Sequence, residues 1–285
     1  MPELPEVQTV ISDLNKKIKG DTVTSFWSDW PSAIKNSTLA KFKKTIIGRK
    51  ILGARRIGKN IFVDLSGGKT LYLHLKMTGH LLIKEQNTKS KAQKYFDDRV
   101  NKYVHHAWQL GKNKKMEFSD MRKFAKIVLV DTKQVGELKE IKSLGIDALD
   151  PKLTLIKFQN ILAKRPGRPI GLVLMDQAVI SGIGNIYRSE ILFEAKVDPR
   201  RLAGQLKPLE QRVVWQAMRK ILNKAIKMRG TSDSDYRDTG GAPGRFQTVL
   251  RVYRKAGKKC PKCATMIKRL QMGQRSVFIC SQCQR

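Results

Sequence analysis

Between positions 3 and 20, apolar residues recur at Val7, Val10, Ile11, Leu14 and Ile18. That spacing predicts an amphipathic helix, with Gly20 as a suitable terminator. From about 23 to 130 the period shortens. Ile51-Leu52, Ile61-Phe62-Val63, Leu71-Tyr72-Leu73, Leu81-Leu82-Ile83 and Ile127-Val128-Leu129, punctuated by Gly67-Gly68, Gly79 and Gly111, read as short strands of a β-sandwich or barrel-like domain over residues 1–135. A linker is expected at 136–150. Helical periodicity then returns at about 154–164, 169–177, 184–195 and 207–229, which predicts a mainly α domain over 151–229. On its longest helix, Leu209, Val213, Val214, Ala217, Met218, Ile221, Leu222, Ala225 and Ile226 form a stripe that reads as a core face.

The stretch 230–249 breaks this regularity. Rich in Gly, Ser, Thr and Asp up to Phe246 and containing Gly240-Gly241-Ala242-Pro243-Gly244, it predicts a mobile loop, longer than most connections and so a candidate lid or binding loop. Residues 250–285 form the last module. The class is therefore α+β: an N-terminal helix with a β-sandwich, a helical domain and a small C-terminal element.

Charge narrows the partners. Fifty-seven Lys and Arg against 24 Asp and Glu leave a formal charge of +33 on 285 residues, which makes a polyanion the natural partner and nucleic acid the best fit. No apolar run approaches the roughly 18–20 residues of a membrane span. No basic segment followed by an apolar signal core opens the chain, so the cytoplasm, among the nucleoid, is the expected location. Ten Lys and Arg and no acid follow Leu250, which points the last module towards phosphate.

All four cysteines lie in that module, as Cys260-x2-Cys263 and Cys280-x2-Cys283. The spacing suits a tetrahedral four-thiolate zinc site on two turns. Two disulfides are the alternative, disfavoured by the cytosolic character of the chain. Four protein ligands leave no open coordination position, so the expected zinc is structural and catalysis has to come from elsewhere.

The N-terminus offers it. Met1-Pro2-Glu3-Leu4-Pro5-Glu6 would, once Met1 is removed, present a proline secondary amine beside carboxylates. A terminal amine has a pKa of about 7.7–8.0 against about 10.4 for lysine, so far more of it is unprotonated at neutral pH and able to attack a sugar carbon. The same residues also make an ordinary helix start with proline and acids in the first turn. Both readings stand on sequence alone.

Pro2-Glu3-Leu4-Pro5-Glu6-Val7, the lysine in Gly58-Lys59-Asn60, Met175-Asp176-Gln177 running to Ser181-Gly182-Ile183-Gly184-Asn185-Ile186-Tyr187, and the terminal four-cysteine module together resemble formamidopyrimidine-DNA glycosylase, in order and over nearly the whole chain. The resemblance implies a helix–two-turn–helix domain, a C-terminal zinc finger, and excision of oxidised purines such as 8-oxoguanine and formamidopyrimidines from duplex DNA. Strand cleavage at the abasic site follows. It assigns Pro2 as the nucleophile, Glu3 as the acid that protonates the ring oxygen, Glu6 as a supporting carboxylate, Lys59 to β-elimination and Arg275 to phosphate gripping and δ-elimination. Asn185 would present donors to phosphate, with a simple N-cap as the alternative. Met77, Arg122 and Phe124 match residues that fill the void left by an extruded nucleotide, over which the loop at 231–246 would close.

Two positions depart from that pattern. Tyr103 stands where a DNA-contacting histidine is common, with His105 and His106 just after it. Gly171 stands where a lysine linked to recognition of the oxidised purine is usual, and Arg165 or Arg168 is nearby to compensate. A monomer without organic cofactor is expected. An endonuclease VIII-type glycosylase acting on oxidised pyrimidines is the alternative enzyme, disfavoured by Leu4 in place of Gly, and a noncatalytic damaged-DNA-binding protein is the alternative outside catalysis.

Overall fold

The computed structural model describes residues 1–85, 93–233 and 235–285. Ser234, within the expected loop, lies outside the described residues. Contacts divide the chain into two compact units, Met1–Lys142 with Met228–Gln247, and Ser143–Lys227 with Thr248–Arg285.

The first unit begins with α1 (Leu4–Lys17), whose Val7, Val10, Ile11 and Leu14 are buried as the periodicity predicts. Nine strands follow: β1 (Val23–Ser28), β2 (Ile34–Lys35), β3 (Ile51–Ile57), β4 (Asn60–Leu65), β5 (Lys69–His74), β6 (His80–Glu85), β7 (Val104–Leu110), β8 (Lys114–Ser119) and β9 (Lys126–Asp131). They form a four-stranded sheet in the order β1-β7-β8-β6 and a five-stranded sheet in the order β2-β9-β5-β4-β3. One core joins Phe26, Leu81, Trp108 and Phe118 of the first sheet to Ile61, Val63, Leu71, Leu73 and Ile127 of the second, so the pair is the expected sandwich.

The helix α2 (Leu39–Ile46) was not foreseen among strands. Its signals are local: Thr38 accepts the Lys41 N–H as an N-cap, and Phe42 and Ile46, four apart, are fully buried. A second difference concerns the expected linker. It begins in a 3₁₀ helix, Thr132–Glu137, and continues as α4 (Lys139–Lys142), after the short α3 (Gln93–Phe96). Val135, Leu138 and Ile141 from this stretch cover Phe62, Tyr72 and Val128 on the outer face of the five-stranded sheet. Burying each such side chain is worth about 1.5–3 kcal/mol, enough to order a segment that composition alone assigns to a connection.

The segment Met228–Gln247 packs into this first unit. Arg229 pairs with Asp13 at 2.5 Å and Asp238 at 2.7 Å, Thr239 donates to Asp13 at 2.7 Å, and Ile83 N–H reaches the Thr239 carbonyl at 2.8 Å. The irregular backbone expected at 230–249 is thus anchored at Arg229, Asp238 and Thr239 by charge and hydrogen bonds, with a 3₁₀ turn, Phe246–Val249, at its end.

The second unit holds β10 (Ile146–Asp147) parallel to β11 (Ile180–Ser181), and α5 (Leu155–Ala163), α6 (Ile170–Val173), α7 (Asn185–Glu194) and α8 (Pro208–Lys227). The helix expected at 169–177 contracts to four residues because Asp176 turns the chain, accepting the Ala178 N–H at 3.0 Å and an Arg168 guanidinium at 2.5 Å. Val214, Ala217, Met218, Ile221, Leu222 and Ala225 of the α8 stripe are buried. The unit ends in a hairpin of β12 (Lys268–Met272) and β13 (Arg275–Ile279) between the cysteine pairs. No helix among the described residues is long and apolar enough to cross a membrane.

Candidate nucleic-acid interface

The first turn of α1 is a closed hydrogen-bonded device. Glu3 is its N-cap, and Glu3 and Glu6 form a reciprocal capping box in which the Glu6 carboxylate accepts the Glu3 N–H at 2.7 Å. The other Glu6 oxygen accepts the Thr231 N–H, also at 2.7 Å. Both Glu6 oxygens therefore serve backbone donors, and the residue ties the helix start to the segment after α8. Gly230 is required here: its φ is +80°, and a Cβ would stand 2.7 Å from Glu6 Oε1. Pro2, Glu3 and Glu6 are buried while Met1 is half exposed. With Met1 attached the Pro2 nitrogen is an amide; cleavage of that bond leaves a secondary amine.

Met1 lies at the edge of a cleft of about 660 Å³ whose walls include Trp30, Met77 and Phe124 and four lysines, Lys35, Lys76, Lys123 and Lys126. Apolar surface flanked by ammonium groups suits a ligand with flat bases and a phosphate backbone. Met77 and Phe124 line this cleft and Arg122 packs against both. Arg122 Nη1 is 3.1 Å from the Met77 sulfur, and its guanidinium stacks 4.6 Å from the centre of the Phe124 ring. Met77 and Phe124 are 44% and 50% exposed, so neither packs in the core.

Lys59 sits in the tight turn between β3 and β4, after Gly58 at φ +58°, and is 8% exposed. Its charge acts on His74, a residue the sequence did not flag. Burial first, then the Lys76 and Lys59 charges, push the His74 imidazole down to about 4, and its Nδ1 accepts the Lys76 N–H at 2.9 Å. The ring is neutral at pH 7 with its proton on Nε2, a donor amid lysines. The signal in the sequence was its place at the end of β5, three residues before Met77.

Tyr103 is 37% exposed immediately before β7. The histidines after it take other roles: His105 Nδ1 bonds Asp29 at 2.9 Å, and His106 is buried against Phe26, Trp30, Trp108 and Phe118.

In the second unit Gly184 is the N-cap of α7 and Asn185 its first residue, so the simple N-cap reading of Asn185 does not hold. Asn185 Oδ1 instead accepts Arg188 Nη2 at 2.5 Å, and the same nitrogen donates to the Ser276 carbonyl at 3.0 Å. The fully buried Arg188, unforeseen from sequence, thereby joins the Gly-rich turn to the hairpin that carries Arg275 exposed beside Gly273. Arg165 donates to the Ile161 carbonyl at the end of α5, and Arg168 pairs with Asp176. Gly171 is a packing glycine: a Cβ would come within 2.9 Å of both the Met272 sulfur and Pro199 Cβ. Arg168 is thus already committed, and the side chain missing at 171 has no room.

The sulfurs of Cys260, Cys263, Cys280 and Cys283 lie within 4.8 Å of one another, with Cys260 to Cys283 at 3.9 Å and Cys263 to Cys280 and Cys283 at 3.4 Å. A tetrahedron with zinc–sulfur bonds of about 2.3 Å has edges of about 3.8 Å, so the four fit one structural zinc.

Comparison with known proteins agrees with this layout. Residues 1–127 match the formamidopyrimidine-DNA glycosylase N-terminal domain, 144–237 the formamidopyrimidine-DNA glycosylase H2TH domain, and 257–285 a zinc finger found in FPG and IleRS. The chain is 38% identical over 285 residues to the formamidopyrimidine-DNA glycosylase of Pelotomaculum thermopropionicum, covering 100% of this chain and 99% of that one, and 36% identical over 288 residues to that of Desulforamulus reducens, with the same coverage. Among solved structures, Lactococcus lactis Fpg in complex with abasic-site DNA aligns with a TM-score of 0.86 and 29% identity over 99% of each chain. MutM with carbocyclic 8-oxoG DNA aligns at 0.84 and 28% over the full length of both. With its sandwich, helical unit and four-cysteine finger matched in order along the entire length, the chain belongs to the formamidopyrimidine-DNA glycosylase family of DNA-repair enzymes.

Proposed function

We propose that this protein, acting as a monomer without organic cofactor, excises oxidised purines, 8-oxoguanine and formamidopyrimidines among them, from duplex DNA and then cuts the strand. The observation that carries the reading is the cleft: Met1 at its edge, an apolar and cationic wedge on its wall, and Pro2 with the buried carboxylates Glu3 and Glu6 directly after Met1 in the chain.

Removal of Met1 frees the Pro2 amine. Its lone pair forms a bond to the anomeric carbon as the bond to the base breaks, the proton on its nitrogen leaves with the departing base, and Glu3, buried in its capping box, supplies a proton to the ring oxygen as the ring C–O bond breaks and the sugar opens to an iminium. The iminium accepts the electrons released when the C2′ proton leaves, so the 3′-phosphate departs by β-elimination, and δ-elimination then expels the 5′-phosphate. Lys59, with the Nε2–H of His74 in the same cluster, and Arg275 with Asn185 hold the phosphates whose departure these steps need. Glu6 keeps Glu3 and the 231–246 segment in register, and that segment covers the extruded base. Extrusion costs a few kcal/mol, offset by Met77 and Phe124 entering the stack while Arg122 meets the orphaned base.

Borohydride reduction during turnover tests the reading. A covalent protein–DNA product joined through Pro2 is expected with 8-oxoguanine and abasic duplexes. Binding without any such crosslink leaves only a damage-binding protein, and a crosslink confined to thymine glycol duplexes assigns the oxidised pyrimidines instead.

A further inference from the structure

Beneath the exposed wedge lies a carboxylate that neither the motif nor the mechanism uses. Asp120 is 1% exposed, and its two oxygens serve two different turns. Oδ1 accepts the Thr78 hydroxyl and the Arg122 N–H, the latter at 3.3 Å. Oδ2 accepts the N–H groups of Phe124 and Ala125, each at 2.8 Å. Thr78 Oγ1 also receives the Arg122 N–H at 3.2 Å, and the backbone N–H of Asp120 reaches the Tyr103 carbonyl at 2.8 Å. Met77, Tyr103, Arg122 and Phe124 are each therefore within one residue of a group bonded to Asp120 or to its partner Thr78.

Both turns need such a tie. Lys76 and Lys123, one beside Met77 and the other between Arg122 and Phe124, each sit at φ 53°, a left-handed conformation that persists only when surrounding bonds over-determine it. Long exposed side chains such as Met77 and Arg122 would otherwise sample many rotamers and lose that freedom on entering a duplex.

We infer that Asp120 and Thr78 form a clasp that presets the Met77–Arg122–Phe124 wedge before DNA arrives, with Asp120 as a positioning residue that acts through the turns and touches no substrate. The inference rests on the proposed reading that a nucleotide is extruded. Asp120→Asn keeps the shape but offers one good acceptor oxygen, so one arm of the clasp meets an amide NH₂. Thr78→Val removes only the hydroxyl arm, and Thr78→Ser keeps it.

The experiment uses full-length, zinc-loaded protein and two substrates: a duplex with 8-oxoguanine flanked by 2-aminopurine, whose fluorescence rises on unstacking, and a single-stranded oligonucleotide with an abasic site, which needs no extrusion. Asp120→Asn is expected to slow single-turnover excision from the duplex about 30-fold and to suppress the fluorescence rise, with Thr78→Val giving about fivefold. Thr78→Ser stays within about twofold of the parent, as does borohydride crosslinking of every variant to the single strand. Duplex excision within about twofold of the parent for both Asp120→Asn and Thr78→Val, or equal losses on the two substrates, overturns the clasp. A parent protein that neither excises nor crosslinks refutes the proposed reaction instead.

Discussion

Asp120 in the N-terminal unit and Glu190 in the C-terminal unit are both buried carboxylates that collect backbone N–H groups. Glu190, 2% exposed, accepts those of Arg251, Val252 and Tyr253 at 2.9–3.0 Å. The difference lies in what is held. Asp120 lies directly beneath the exposed wedge, on a sandwich whose core fixes every strand around it. Glu190 fixes only the point where the chain enters the finger. Beyond it the hairpin carrying Arg275 buries a small apolar cluster, Met272, Val277 and Ile279 with Leu172 and Leu270, too little to fold by itself. The first unit holds these candidate DNA-contacting side chains with hydrogen bonds on a large core, whereas the finger of the second relies on metal.

The largest test of that contrast is removal of zinc. Chelation, or Cys280→Ser, should abolish hydrogen-exchange protection over 257–285 while β4 and β5 keep theirs, since structural zinc contributes about 10–16 kcal/mol of apparent binding energy to such modules. Loss of protection in both regions would show that the sandwich also leans on the metal. Next in size, Glu3→Gln should lower single-turnover base excision by about 10²–10⁴-fold with little change in DNA affinity. Equal loss of affinity would make Glu3 a helix cap only.

Acid should act on the sandwich. Burial first, then the neighbouring His105 charge, hold His106 down to about 4, whereas an unfolded histidine takes its proton near pH 6.5. Between those values the unfolded chain binds more protons than the fold, so stability falls as pH falls. His106→Phe should relieve about 2 kcal/mol of the loss between pH 7 and 5 in denaturant titrations. Unchanged acid sensitivity would move its source elsewhere. Smallest is Arg275→Ala, which should make the log–log salt slope of DNA binding shallower by about 0.9. A slope identical to the parent's would take the finger tip off the phosphates.

Much of the layout was legible because it rests on short-range periodicity. α1, the strands β3, β4, β5, β6 and β9, the α8 stripe and the paired cysteines each declare themselves within a few turns or strands of sequence. α2 was missed for lack of length, having only Phe42 and Ile46 to mark its face. β7 and β8 were missed because His105, His106 and a run of lysines interrupt their alternation. The cover provided by Val135, Leu138 and Ile141 is a tertiary fact, as are His74 beside Lys59 and Arg188 between Asn185 and Ser276. Candidate site residues carried by a motif can be picked out in the sequence. The groups that aim them, Asp120 and Thr78 above all, could not, since a carboxylate 42 positions from its hydroxyl partner gives no local pattern.

Gly171 sets a limit on substitution. Any side chain there meets the Met272 sulfur, which can swing aside, and also the ring and carbonyl of Pro199 at 2.9 and 3.0 Å, which cannot. A side chain can therefore be added at position 171 only together with a shift of the backbone near Pro199.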